Sequence, residues 1–158
     1  MQRPKSLISL QTLFRRTIET LLPLATAKNQ DIGAAVETEC EIWADDTEIF
    51  TLVKTLADNA VRYTPEGGRI DLGFDETATH LVLWVEDNGN GIPAAERSRV
   101  LDPFYRILGT EQQGTGLGLP IADAIAKRYG GRLVLTDSRQ FAHGLLVKAE
   151  LDKKRLQQ

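Results

Sequence analysis

The sequence predicts an α+β fold, a two-layer sandwich in which a mixed, mostly antiparallel sheet is covered on one face by helices. Three observations carry that expectation. Residues 10–25 and 46–63 repeat apolar side chains at helical spacing. Ile70, Leu72 and Phe74 alternate with Arg69, Asp71 and Gly73, and Leu81, Leu83 and Val85 with Val82, Trp84 and Glu86, the period of two of a strand, while Leu133 and Leu135, then Leu145, Val147, Ala149 and Leu151, form a final hairpin. Polar turns at Asp75 to Thr79 and Asp137 to Gly144 join those strands in pairs.

Taken in order, residues 5–9 read as a short strand. Leu10, Leu13, Phe14, Thr17, Ile18, Leu21, Leu22 and Ala25 then form a helical stripe. Pro23 falls inside that pattern, removes one backbone donor, and predicts a kink near the last turns. Ile32 to Val36 and Glu41 to Ala44 read as strands. Asp45 or Asp46 can cap the next helix, with Glu48 favouring its positive end. That helix runs to Tyr63 with Ile49, Val53, Leu56 and Ala60 as its core stripe, and Thr64-Pro65-Glu66-Gly67-Gly68 stops it. On the flank of the stripe, Thr55, Asn59, Arg62 and Tyr63 stand at i, i+4, i+7 and i+8. A polar set so aligned either converges on one ligand or forms a wet rim. A short helix is expected over 94–101, after Pro93, and a longer one from Leu117 to Tyr129, ended by Gly130-Gly131.

The densest local signal runs from Asp87 to Leu119. It opens with Asp87-Asn88-Gly89-Asn90-Gly91-Ile92 and closes with Gly114-Thr115-Gly116-Leu117-Gly118-Leu119, around a loop carrying Phe104-Tyr105-Arg106. Glycines let a backbone approach a ligand closely and adopt positive φ. The second cluster leads into a helix, whose free N–H groups and positive dipole end attract an anion. A phosphate-bearing ligand under a movable flap is the expectation.

Composition sets bounds. The 158 residues suffice for one domain with a real core, expected over 1–152, with 153–158 as a solvated tail. A net charge of −3 argues against a nucleic-acid partner. No apolar run approaches the roughly 20 residues of a membrane span, and no signal-peptide core opens the chain. The single cysteine, Cys40, cannot form an internal disulfide, which fits a reducing compartment, and reads as a small buried hydrophobe at a strand start.

Four motifs in fixed order resemble those of sensor histidine kinases, over about residues 5–151. Asn59-Ala60-Val61-Arg62-Tyr63-Thr64-Pro65 resembles their N box and Asp87 to Ile92 their G1 box. Pro103-Phe104-Tyr105-Arg106 is similar to the F box and Gly114 to Leu119 to the G2 box. The resemblance implies a GHKL-type ATP-binding fold, distinct from the Walker P-loop, of which no trace occurs here.

What the resemblance implies can be written residue by residue. Asp87 accepts a hydrogen bond from the adenine amine, which discriminates against guanine. Gly89 and Gly91 let the base enter, Ile92 and Leu119 line its slot, and Tyr63 stacks on it. Asn59 is the protein's ligand to Mg²⁺, and Arg62 reaches a phosphate or ribose oxygen. Thr115, Gly116, Leu117 and Gly118 offer backbone N–H groups to the phosphates. Arg106 is the catalytic residue, neutralising the γ-phosphate during transfer, while Phe104 anchors the flap. The implied cofactors are ATP and Mg²⁺. The implied partners are a dimerisation and histidine-phosphotransfer domain of the same parent and, indirectly, a response regulator. The chain is expected to be a monomeric catalytic fragment of an inner-membrane sensor, on the cytoplasmic side.

Two features qualify the pattern. Thr55 stands where relatives carry a second asparagine or a water-activating glutamate, and it cannot serve as a general base near neutral pH. Gln113 replaces a frequent glycine, and Pro120 falls early in its helix, where it is tolerated. The two histidines, His80 and His143, sit beside polar turns, and neither begins an acceptor-helix sequence. A degenerate regulatory module, or an anti-sigma-type serine-protein kinase of the same fold, are the rival readings.

Overall fold

A computed structural model describes residues 4–102 and 118–158. The flap and most of the second glycine cluster lie outside the described residues. The elements are β1 (Ser6–Ser9), α1 (Leu10–Ala27), β2 (Asp31–Ala34), β3 (Glu41–Ala44), α2 (Asp46–Tyr63), β4 (Arg69–Glu76), β5 (His80–Asp87), α3 (Gly118–Arg128), β6 (Arg132–Asp137) and β7 (Leu145–Asp152). Short 3₁₀ turns at Ala94–Glu96, Arg99–Leu101 and Lys153–Leu156 complete the described chain.

Five strands form one sheet in the order β2-β4-β5-β7-β6, in which β2 and β4 run parallel and every other pair antiparallel. β1 and β3 make a separate antiparallel pair. The alternation in the strands sends Ile70, Leu72, Leu81, Leu83, Val85, Val147, Ala149 and Leu151 into one core with the helices. Cross-strand register brings Leu72 beside Val85, and Val85 beside Val147. The α2 stripe of Ile49, Val53, Leu56 and Ala60 is buried as its spacing requires, and Asp45, not Asp46, is the cap, accepting from the Glu48 N–H at 3.2 Å.

The structure departs from the sequence reading in several places. α1 is capped by Ser9 and is a single helical segment through Pro23, but its buried stripe is narrower than expected, since Leu22 is 48% exposed. The stretch 94–101 forms two 3₁₀ turns, not one short helix. Residues 153–158 are not a solvated tail. Leu156 is 6% exposed within the core, and Lys5 Nζ donates to the Arg155 carbonyl at 2.6 Å. A lone leucine after three basic residues gave no periodic signal, so its burial was not readable. The sheet face away from the helices is not bare either, because Asp71, Trp84, Glu86 and Leu146 are all buried there. A Cβ on Gly73 would overlap the Trp84 ring, which explains the glycine in that strand.

Cys40 packs partly buried against the core, and its Sγ donates to Glu76 Oε1 at 3.0 Å. Burial, reinforced by that acidic neighbour, pushes the thiol up to about 12, so it is unreactive at neutral pH.

Leu156→Ala should destabilise the domain by about 2 kcal/mol, the lower end for truncating a buried leucine. Chemical denaturation measures it; a solvated tail would give no change.

Candidate functional site

The site is assembled around the last three turns of α2. A helix leaves its final carbonyls without partners, and here they are taken by side chains from the α1–β2 connection. Lys28 Nζ donates to the Val61 and Arg62 carbonyls at 2.8 and 3.1 Å. Gln30 Nε2 donates to those of Val61 and Thr64 at 3.0 and 2.8 Å. A cation is favoured at this negative dipole end. The segment carrying Asn59, Arg62 and Tyr63 is therefore held in place from outside the helix. Asn59 is half-buried, and its amide makes no hydrogen bond among the described residues. Tyr63 is 38% exposed. Arg62 is exposed, and its Nε donates to Asp58 Oδ2 at 2.8 Å, a solvent-facing i,i+4 pair worth a few tenths of a kcal/mol, ~0.5 at most.

Asp87 ends β5 and is 7% exposed. Its Oδ1 accepts from the Gly89 N–H at 2.9 Å, and the Leu145 backbone N–H lies beside the carboxylate and favours its charged form. Burial pushes this carboxyl above the ordinary aspartate range. The two N–H groups pull it back, and the neighbouring Glu86 charge adds to the rise. Asn88 pins the turn to β4: its Oδ1 accepts from the Arg69 N–H at 2.8 Å, and its own N–H donates to the Arg69 carbonyl at 3.2 Å.

The glycines of this turn act first on packing. A Cβ on Gly89 would stand 3.3 Å from Thr64 Cα and 3.1 Å from Asp87 Oδ1, so the bare backbone lets the turn lie directly on the end of α2. Gly91 has φ 73°, and a Cβ there would lie 3.3 Å from the Gly144 carbonyl. Ile92 is partly buried against the core. At the other end of the polar stripe, Gly118 opens α3 so that its Cβ position lies 3.4 Å from Thr55 Cγ2, and Leu119 is buried behind it. Pro120, in the first turn, leaves α3 intact.

The stripe of Thr55, Asn59 and Tyr63 thus runs between two landmarks, the start of α3 at one end and the Asp87 turn at the other. From Thr55 to Thr64 a helix rises about 14 Å, and Asn59 lies between. Asn59 and Tyr63 are on this line. Gly89 lies against its Thr64 end with Asp87 hydrogen-bonded to it, and Gly118 lies against its Thr55 end with Leu119 buried next in the chain. Gly91 lies instead against Gly144 and Ile92 against the core, and Arg62 is turned to Asp58. Arg106, Thr115, Gly116 and Leu117 lie outside the described residues. Sequence reasoning gave Lys28, Gln30 and Leu145 no role, and named Thr64 and Asn88 only within their turn motifs. Asn88, in an Asp-Asn-Gly turn, had a signal. Leu145 acts through its backbone and had none.

A strand-end carboxylate packed on the end of a helix, with a second helix beginning beside that helix's polar flank, is the layout of a GHKL-type nucleotide-binding sandwich. The chain belongs to the histidine kinase-, DNA gyrase B-, and HSP90-like ATPase family, whose signature matches residues 44–155. Within that family its relatives are sensor kinases. It is 33% identical over 147 residues to the sensor protein kinase PmrB of Pseudomonas aeruginosa, covering 92% of this chain and 30% of that one. It is 31% identical over 133 residues to the sensor histidine kinase RppB of Synechocystis, covering 82% and 29%. The catalytic domain of histidine kinase ThkA superposes with a TM-score of 0.83 at 25% identity, covering 96% of this chain and 97% of that one. The chain spans less than a third of the curated relatives it matches.

The raised Asp87 carboxyl has a consequence for stability. Its charged form is penalised in the folded state; the penalty is full above the folded-state value and vanishes as pH falls below the unfolded one. Wild-type stability relative to Asp87→Asn should therefore rise as pH drops from neutral into the acid range. Urea titrations of both proteins at several pH values check the sign.

Proposed function

We propose that this domain binds ATP with Mg²⁺ and donates the γ-phosphoryl group to a histidine on a separate dimerisation domain of its parent protein. The observation that carries the reading is Asp87, a buried carboxylate held by the Gly89 N–H and set against the end of α2. A carboxylate so placed meets an adenine amine favourably and a guanine carbonyl unfavourably, acceptor against acceptor. Tyr63 offers an exposed ring for stacking, with Ile92 and Leu119 at the apolar side of the base.

The donor set suits magnesium better than a metal that needs a protein cage. No cluster of three or more His, Cys, Asp or Glu side chains able to hold a metal occurs among the described residues. Asn59 supplies one half-buried amide oxygen without a competing partner among the described residues. Magnesium commonly keeps several waters and takes phosphate oxygens as its other ligands, so one amide is enough. Bound there, the ion neutralises phosphate charge. Arg62 reaches a phosphate or ribose oxygen by exchanging its weak Asp58 pair. The Gly118 backbone, at the start of α3, is assigned to the phosphates, and Thr115, Gly116 and Leu117, outside the described residues, are assigned to them by their motif alone. Arg106 is assigned to charge neutralisation during transfer by its place in the flap motif.

Thr55 offers no general base, which favours transfer to a protein acceptor over hydrolysis. That acceptor is not within this chain: His80 opens β5, with its Nδ1 within 2.8 Å of Thr79 Oγ1, and His143 is exposed in the β6–β7 connection. The parent is read as a sensor with a response regulator downstream, this domain lying on the cytoplasmic side as a monomer. No described helix is long and apolar enough to cross a membrane. The relatives' names favour this reading over the regulatory-module and serine-kinase alternatives.

Asp87→Asn should weaken ATP binding by roughly 10- to 100-fold, the worth of one hydrogen bond to a charged group. Calorimetry on the folded variant decides it, and unchanged affinity removes the adenine role. Asn59→Ala should abolish the magnesium dependence of ATP affinity; a retained dependence places the metal elsewhere. With labelled ATP the isolated chain should stay unlabelled, and a phosphohistidine at residue 80 or 143 would overturn the reading.

A further inference from the structure

Glu86 precedes Asp87 on β5 and therefore faces the opposite side of the sheet. It is 3% exposed, and no role in contacting nucleotide accounts for it. Its Oε2 accepts three hydrogen bonds from one short segment: from Ser138 Oγ at 2.7 Å, the Arg139 N–H at 2.6 Å and the Gln140 N–H at 3.0 Å. Ser138 Oγ in turn accepts from the Phe141 N–H at 2.9 Å. Directly across the β4–β5 register stands Asp71, also buried. Two adjacent buried carboxylates repel unless both are satisfied, and the same segment helps satisfy the second, with Gln140 Nε2 donating to Asp71 Oδ2 at 2.8 Å. Arg139 lies over the Trp84 ring at 5.4 Å and reaches Asp75 at 3.3 Å. Residues 138–141 are thus fastened to the outer face of the sheet chiefly through Glu86.

The other end of that segment touches the nucleotide side. Gly144 has φ 138°, and its carbonyl accepts from the Ser138 N–H at 3.1 Å. A Cβ on Gly144 would overlap the Asp87 carbonyl, so the two backbones are in contact. The next residue, Leu145, has its N–H beside the Asp87 carboxylate, where it favours the charged form.

We propose that Glu86 is a positioning residue for adenine recognition: by holding residues 138–141 on the outer face it fixes Gly144 against the Asp87 backbone, and so keeps the Asp87 carboxylate in place at the helix end. The inference rests on the adenine role of Asp87. The Gly89 N–H and the backbone contact at Gly144 together set the direction of that carboxylate and aim its remaining lone pairs at one amine. With the Gly144 contact loosened the group can turn, and its preference for an amine-bearing purine falls.

The test is a competition titration of the whole chain with ATP and with GTP. Glu86→Gln keeps the shape but turns an amide N–H₂ or a weaker acceptor toward the three donors. ATP affinity should fall about tenfold, the loss of one charge-assisted hydrogen bond, while GTP affinity moves less than twofold, so the selectivity ratio narrows. Ser138→Ala should shift it the same way by about threefold, and it decides the matter if Glu86→Gln does not fold. A ratio unchanged in the folded variants, or equal losses for both nucleotides, overturns the proposal. Asp87→Asn in the same titration separates the two readings. If it too leaves ATP affinity unchanged, the adenine role has failed; if it alone weakens ATP, only the positioning role has.

Discussion

The burial of one carboxylate at the end of β5 governs the rest of this molecule. An ionised aspartate away from water is costly unless donors are aimed at it, and two backbone N–H groups from different parts of the chain, one hydrogen-bonded and one beside it, favour the charged form of Asp87. One comes from its own turn, which requires Gly89 to lie flat on the end of α2. The other comes from the start of β7, which requires the β6–β7 connection to return across the sheet. Neither donor fully offsets the burial, because the carboxyl remains above its ordinary range. The residual penalty suits a site whose last hydrogen-bond partner arrives with a ligand.

The scaffold is arranged to keep α2 still relative to that carboxylate. Asp45 caps its first turn, while Lys28 and Gln30 take its last carbonyls. Those two residues belong to the connection into β2, and β2 is bonded in parallel to β4. β4 in turn is tied to the Asp87 turn through Arg69 and Asn88. A chain of hydrogen bonds therefore runs from the end of α2, through β2 and β4, to the turn that carries Asp87, and the packing of Gly89 on Thr64 closes the circuit. Asn59 and Tyr63 ride on the part of the helix this circuit holds.

What was legible in the sequence followed from periodicity and from local chemistry. The bounds of α2 were readable because an acidic cap, a 3.6-residue stripe and a Pro-Gly-Gly stop agreed with one another. Asp87 was readable because a carboxylate after an alternating strand and before a glycine turn is an unusual conjunction. The burial of Glu86 and Asp71 was not readable, since an alternating strand predicts that its polar face meets water. A distant loop covers them, and loop placement is a long-range fact with no local pattern. Leu156 escaped for the same reason, as did Leu22 in reverse: helical spacing gave a broader apolar stripe than the one the fold buries.

Strand geometry adds a last constraint. Two consecutive carboxylates on a strand face opposite sides of the sheet, so Glu86 and Asp87 cannot share a ligand, and each demands its own set of donors. Both sets are drawn from one connection: residues 138–140 serve Glu86, and Leu145 serves Asp87. Any change that lengthens or shifts the β6–β7 connection must therefore disturb both carboxylates at once, although only one of them faces the helix end. Gly144 is the pivot between the two sets. Its φ of 138° and its contact with the Asp87 backbone leave no space for a side chain. On the proposed reading, the base-recognising carboxylate is thus set from the back of the sheet as much as from the front.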